Sequence, residues 1–148
     1  MQEQQRRAFD IESYVDSTIH NEDKTIYSND YHAFQRQFIK RLAGRFNFDC
    51  TEVVMTLSNL PDVASIQRHA LVDAASYLVR GCVRKTDQMF AGGEQGNQFM
   101  LLLPGTGRRG AETVMSRLKE AFVRHADMFL TPILPQFQAI TIYEPYRR

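Results

Sequence analysis

FAGGEQGNQFMLLLPGTG, Phe90 to Gly107, joins a glycine-rich tip to an amide pair and then to an apolar run that stops at Pro104-Gly105. Such a tip either cradles nucleotide phosphates or turns one strand into the next. A phosphate-binding loop needs backbone N–H groups turned inward, usually beside a Lys and a Ser or Thr. This tip has no Gly-Lys-Ser/Thr, and the residues after it, QFMLLL, have the look of a strand rather than a helix. The chemistry favours a hairpin, in which glycines supply the positive φ angles of the turn. FMLLLP has no polar alternation, so its strand is expected to be covered on both faces. LPGTG, Leu103 to Gly107, imitates a cell-wall sorting signal, but an amphipathic helix follows it where that signal needs an apolar segment and a basic tail.

Outward from the hairpin, Gln88 to Ala91 supplies the partner strand. Thr106 and Gly107 precede a helix with Ala111, Val114, Met115, Leu118, Ala121 and Phe122 inward, and Phe137 to Tyr143 alternates as a last strand. Upstream, TEVVMTLSNL (Thr51 to Leu60) is rich in β-branched residues and reads as a buried strand. Pro61 suits the first turn of the next helix, which carries Val63, Ile66, Ala70, Ala74, Tyr77, Leu78 and Cys82 on one face. Tyr31, Phe34, Phe38, Leu42 and Phe46 repeat at helical spacing, with Asn29 or Asp30 as N-cap. Ala8, Ile11, Val15 and Thr18, with Phe9, Tyr14 and Ile19, mark a first amphipathic helix ending near His20, and NEDK breaks it. The expected class is α/β, a mixed central sheet with flanking helices, an antiparallel hairpin and an N-terminal helical arm.

A chain of 148 residues is one domain with an arm attached, and its 43% apolar content can fill a single core. A net charge of +1 gives no global field toward nucleic acid or anionic lipid, so an anionic ligand needs a local cluster. The apolar runs fall far short of a membrane span and no signal peptide opens the chain, so neither membrane insertion nor nucleic-acid binding is expected. Cys50 and Cys82 are too few and too far apart for a disulfide framework or zinc site, which points to a reducing cytoplasm. MQEQQRR reads as a helical lead-in cut from a longer protein, of which this would be the cytoplasmic part. His20, His32, His69 and His125 have no ligand spacing and are assigned surface or cap roles.

From roughly Asp23 to Tyr143 the order of elements and several motifs resemble a GGDEF domain, the diguanylate cyclase fold. DKTIYSNDYHAF is similar to the family's opening motif, VVMTLSNL sits where its first strand ends in two metal-binding aspartates, and FMLLLPGTG resembles the strand and helix after its signature. The division implied is an arm over 1–22 and a degenerate GGDEF domain over 23–148. Aligned on Phe99, the signature reads Gln95, Gly96, Asn97, Gln98, Phe99, with amides in place of both acidic residues. Aligned on Gly92-Gly93-Glu94, one carboxylate survives but the phenylalanine is lost. Thr56 and Ser58 occupy the metal-aspartate positions, and the guanine-reading pair falls near Ala64 and Ser65. Magnesium is held by carboxylates and phosphates in such sites. The resemblance therefore implies a catalytically inactive domain with no metal and no cofactor.

Arg84-Lys85-Thr86-Asp87 matches the family's RxxD motif, which in relatives binds cyclic di-GMP. A guanidinium suits phosphate oxygens or the O6/N7 edge of guanine, and a carboxylate can accept from guanine N–H groups. Arg80 and Lys85 are candidates for further phosphate contacts. The bland alternative is a helix-end ion pair, and Arg124-His125-Ala126-Asp127 repeats the pattern without family precedent. The function expected is a cyclic di-GMP receptor that regulates a partner, such as an exopolysaccharide synthesis or secretion system. The alternative is a nucleotide-free interaction or dimerisation module that works through its N-terminal helix on a protein partner or neighbouring domain. Residual cyclase activity through Glu94 is the third reading.

Overall fold

The apolar run is buried from Phe99 to Leu103 in a computed structural model of the chain, which describes residues 26–58, 65–93, 96–129, 133 and 135–146. In chain order the elements are β1 (Ile26–Ser28), a 3₁₀ turn (Asn29–Tyr31), α1 (His32–Phe46), β2 (Cys50–Leu57) and α2 (Ser65–Cys82). Then follow β3 (Gln88–Gly92), β4 (Gln98–Pro104), α3 (Arg108–Arg124), a 3₁₀ turn (Ala126–Met128) and β5 (Pro135–Tyr143). The strands form one five-stranded sheet in the order β1-β3-β4-β2-β5. β1 runs parallel to β3, and every other pairing is antiparallel, so the sheet is mixed as expected.

Each face of the sheet has its own core. On one, Phe90, Met100, Leu102, Cys50 and Ile142 pack with Ile39 and Ala43 of α1. On the other, Met89, Leu101, Leu103, Val53, Met55 and Leu57 meet α2 and α3 through Leu71, Ala75, Val79, Leu118 and Phe122. Ala111, Leu118 and Phe122 of α3 are buried at the expected positions. No described helix is long and apolar enough to cross a membrane.

Several expectations need correction. β1 was not anticipated, because three residues are too short to show alternation and its parallel partner lies far along the chain. Neither Asn29 nor Asp30 caps α1: Asn29 opens the 3₁₀ turn, where the Ser28 hydroxyl accepts from Asp30 N at 3.3 Å, and Tyr31 holds the N-cap position without a side-chain bond. The aromatic row of α1 does not face the sheet: Tyr31, Phe34, Phe38 and Phe46 are exposed, while Ile39 and Ala43 are buried. Phe90, Met100 and Leu102 already fill that face, and small Ala43 lets the helix approach them. In α2 the buried face runs through Leu71, Ala75, Leu78 and Val79, leaving Tyr77 outside. The N-terminal arm and Pro61 lie outside the described residues.

One polar group interrupts the α1 core. Glu52, in the middle of β2, is 2% exposed; it contacts His32 Nε2, and Arg36 Nε stands 3.6 Å from its other oxygen. A buried carboxylate needs such partners, because breaking a buried pair leaves an uncompensated charge. His32 is thus a partner of a core residue rather than a surface or cap histidine. Cys50, two residues back on the same face, has its thiol pKa pushed up from 9.0 to about 11, first by burial and then by the charges of Glu52 and Asp87.

Two outcomes follow. Replacing both partners (His32→Ala with Arg36→Ala) strands Glu52 and should cost about 3–5 kcal/mol in urea denaturation, much of it recovered by adding Glu52→Leu. In the native protein at pH 8, iodoacetamide should leave Cys50 unmodified, since only about a thousandth of a thiol with that pKa is thiolate. Mass spectrometry should find Cys50 modified only after unfolding.

Candidate functional site

The hairpin of β3 and β4 has two chemically different ends. At its tip, Gly92 and Gly93 have φ of 150° and 78°, a region that L side chains rarely adopt. There is also no room for a side chain: a Cβ on Gly92 would lie 2.7 Å from Asn29 Cβ, and one on Gly93 would lie 2.6 Å from Gln98 Oε1. Glu94 and Gln95 lie outside the described residues, and Gly96 continues the turn at φ 68°.

Asn97 and Gln98 are tied to the end of β2. Asn97 Nδ2 donates to Leu57 O at 3.1 Å, Leu57 N donates to Asn97 O at 2.8 Å, and Gln98 Nε2 donates to Thr56 Oγ1 at 3.2 Å. Thr56 and Gln98 are direct cross-strand partners, so the register brings together two positions that sequence reasoning had assigned to one site. Phe99 turns into the core. Ser58 is exposed just past β2, Ser65 opens α2, and Ala64 lies outside the described residues. The donors gathered here are amides and hydroxyls. Among the described residues, no group of three or more His, Cys, Asp and Glu is placed to hold a metal ion.

The opposite end of the hairpin carries Arg84 and Asp87, in the turn between α2 and β3. Asp87 N donates to Arg84 O at 3.0 Å, and Arg84 N donates back to Asp87 Oδ2 at 2.8 Å, which closes the turn on itself. The Arg84 guanidinium then reaches across the base of the hairpin. Its Nη2 lies 3.2 Å from Asp87 Oδ1, 3.0 Å from Pro104 O and 2.7 Å from Thr106 Oγ1. The Asp87 side chain is 2% exposed and that of Arg84 57%. The pair is therefore brought together as expected, but the two groups face each other. The carboxylate is sealed, and one edge of the guanidinium remains in water.

Lys85 is exposed beside this arginine, whereas Arg80, expected to add a phosphate contact, is buried at 3%. The second RxxD copy behaves differently: Arg124 pairs with Glu120 at 2.6 Å, one helical turn back. Sequence reasoning missed Pro104 and Thr106 as acceptors for Arg84. Both sit in LPGTG, whose proximity to Arg84 comes only from the hairpin pairing.

No family model and no curated protein matches the chain. Solved structures do. A DGC protein from Thermotoga maritima is 16% identical with a TM-score of 0.67, over 85% of this chain and 88% of that one. The GGDEF domain of FimX from Pseudomonas aeruginosa gives 13% and 0.70, over 86% of this chain and 82% of that one. The GGDEF domain of DgcB from Caulobacter crescentus, solved in complex with c-di-GMP, gives 8% and 0.67, over 80% and 74%. Such low identities speak for architecture alone: the chain has the fold of GGDEF domains.

Proposed function

We propose that this GGDEF-type domain lacks cyclase chemistry and receives cyclic di-GMP at the base of its hairpin through Arg84. A cyclase of this fold needs magnesium between carboxylates and triphosphates. Among the described residues, the donors at the tip, Thr56, Ser58, Asn97 and Gln98, are neutral, and both amides are committed to β2. This set does not fit a magnesium ion. Missing stabilisers of that kind typically cost about 3 kcal/mol of barrier each.

The observation that carries the receptor reading is the half-exposed Arg84 guanidinium, held by a turn that buried Asp87 closes. A cation fixed in place before the ligand arrives loses little side-chain freedom on binding. Its planar fork suits a phosphodiester or a guanine edge, with exposed Lys85 adjacent. In this arrangement Asp87 acts as the positioning residue and Arg84 as the contact. Binding would bias the equilibrium between two arrangements of the domain and a neighbour, such as a component of an exopolysaccharide system.

One observation favours a second reading, a nucleotide-free interaction module. Arg84 Nη2 already has three acceptors within the chain, as a purely structural staple would.

Calorimetric titration with cyclic di-GMP separates the two. The receptor reading expects a micromolar-range complex, weakened about ten- to hundredfold by Arg84→Ala through loss of a charged hydrogen-bond partner. Arg124→Ala, the control, should bind as the wild type does. No heat with the wild-type chain leaves the interaction module, and equal affinity in Arg84→Ala removes the ligand from the hairpin base.

Asp87→Ala should act on the fold instead. Loss of the bonds that close the turn is expected to lower stability by about 1–3 kcal/mol in chemical denaturation.

A further inference from the structure

Among the described residues, the aromatic row of α1 leaves several large rings outside either core. Phe34 is 73% exposed, Tyr31 and Phe38 are each 48% exposed, and Tyr27 of β1 is 41% exposed. Beside them Tyr27, Tyr31, Gln35, Gln88 and Phe90 line a cleft of about 290 Å³, in which the Tyr27 and Phe90 rings lie 6.0 Å apart. Scattered exposed hydrophobics are ordinary, but contiguous aromatic surface marks a contact face. This face is basic as well: α1 carries no acidic residue, and Arg41 and Arg45 stand at helical spacing beside Phe34 and Phe38, while Arg36 is turned to Glu52. Two copies of α1 laid together would oppose like charges, which disfavours a symmetric pairing through this helix.

We propose that this face is the seat of the chain's own N-terminal segment, Ala8 to Ile19. Position, pattern and charge agree on this occupant. The segment joins the domain at Ile26 of β1, one residue before Tyr27 in the cleft, and Asn21 to Thr25 reach about 17 Å at most when extended. Ala8, Ile11, Val15 and Ile19 recur at helical spacing, and a helix of that length, about 18 Å, fits along α1, about 22 Å. Asp10, Glu12 and Asp16 make the segment acidic, and it contains no Lys or Arg. Glu12 and Asp16 follow Ile11 and Val15, so carboxylates border the apolar row and can meet Arg41 and Arg45 as it covers Phe34 and Phe38. The seat is independent of what the hairpin base binds.

Hydrogen exchange on the full chain, read by mass spectrometry, tests this. The amides of residues 8–19 should exchange about tenfold or more slowly than in an unstructured peptide. Phe34→Ser with Phe38→Ser, at positions outside both cores, should abolish that protection while leaving α2 and α3 protected. Arg41→Glu with Arg45→Glu should weaken it, and adding Glu12→Lys with Asp16→Lys should restore it. Unprotected amides in the wild type would overturn the proposal, as would protection that survives the phenylalanine substitutions. Protection that rises with protein concentration, alongside a dimer in sedimentation, would assign the face to a second copy instead.

Discussion

Because Phe99 to Leu103 leave no polar side chain on either side of β4, the sheet around that strand has to be roofed twice. α1 covers one face and α2 with α3 the other, and the two cores share only the strands between them. β2 and β3, which flank β4, are largely buried for the same reason. The hairpin is thereby clamped between layers, with its turn projecting at one end of the sheet and its base held at the other. Arg84, Asp87, Asn97 and Gln98 lie at those ends, and Glu52 lies under a roof.

The two ends have diverged in character. Among the described residues of the tip, neutral groups satisfy one another across Asn97–Leu57 and Gln98–Thr56. At the base, a charged pair is closed on its buried side and open on its wet side. That asymmetry is the ground on which the proposed ligand is assigned to Arg84 rather than to the described glycines of the turn.

Much of this was legible in the residues. The uninterrupted FMLLL run implied a doubly covered strand, the glycines a turn, and the spacing of Ala111, Leu118 and Phe122 the inward face of α3. What could not be read depended on pairing or on competition for space. β1 exists only because Ile26 lies beside Met89, a contact between residues far apart in the chain. The aromatic row of α1 obeys helical periodicity perfectly well, but periodicity does not say which of two apolar flanks meets the sheet; the bulk of Phe90 and Met100 decides that. That Glu52 has partners inside the buried strand could not be read either, because only the fold sets His32 and Arg36 beside it. Arg84 and Asp87 were visible as a motif, but their mutual closure and the reach to Thr106 were not.

The three-residue length of β1 has a mechanical consequence. β1 is an edge strand, bonded to the sheet on its β3 side only, and it is the first element among the described residues. Tension applied through the arm therefore loads the smallest and least anchored unit of the sheet, while β3, β4 and β2 stay shielded behind it. Asn29, directly after β1, lies against Gly92, so loss of β1 would also disturb the residue packed on the end of β3.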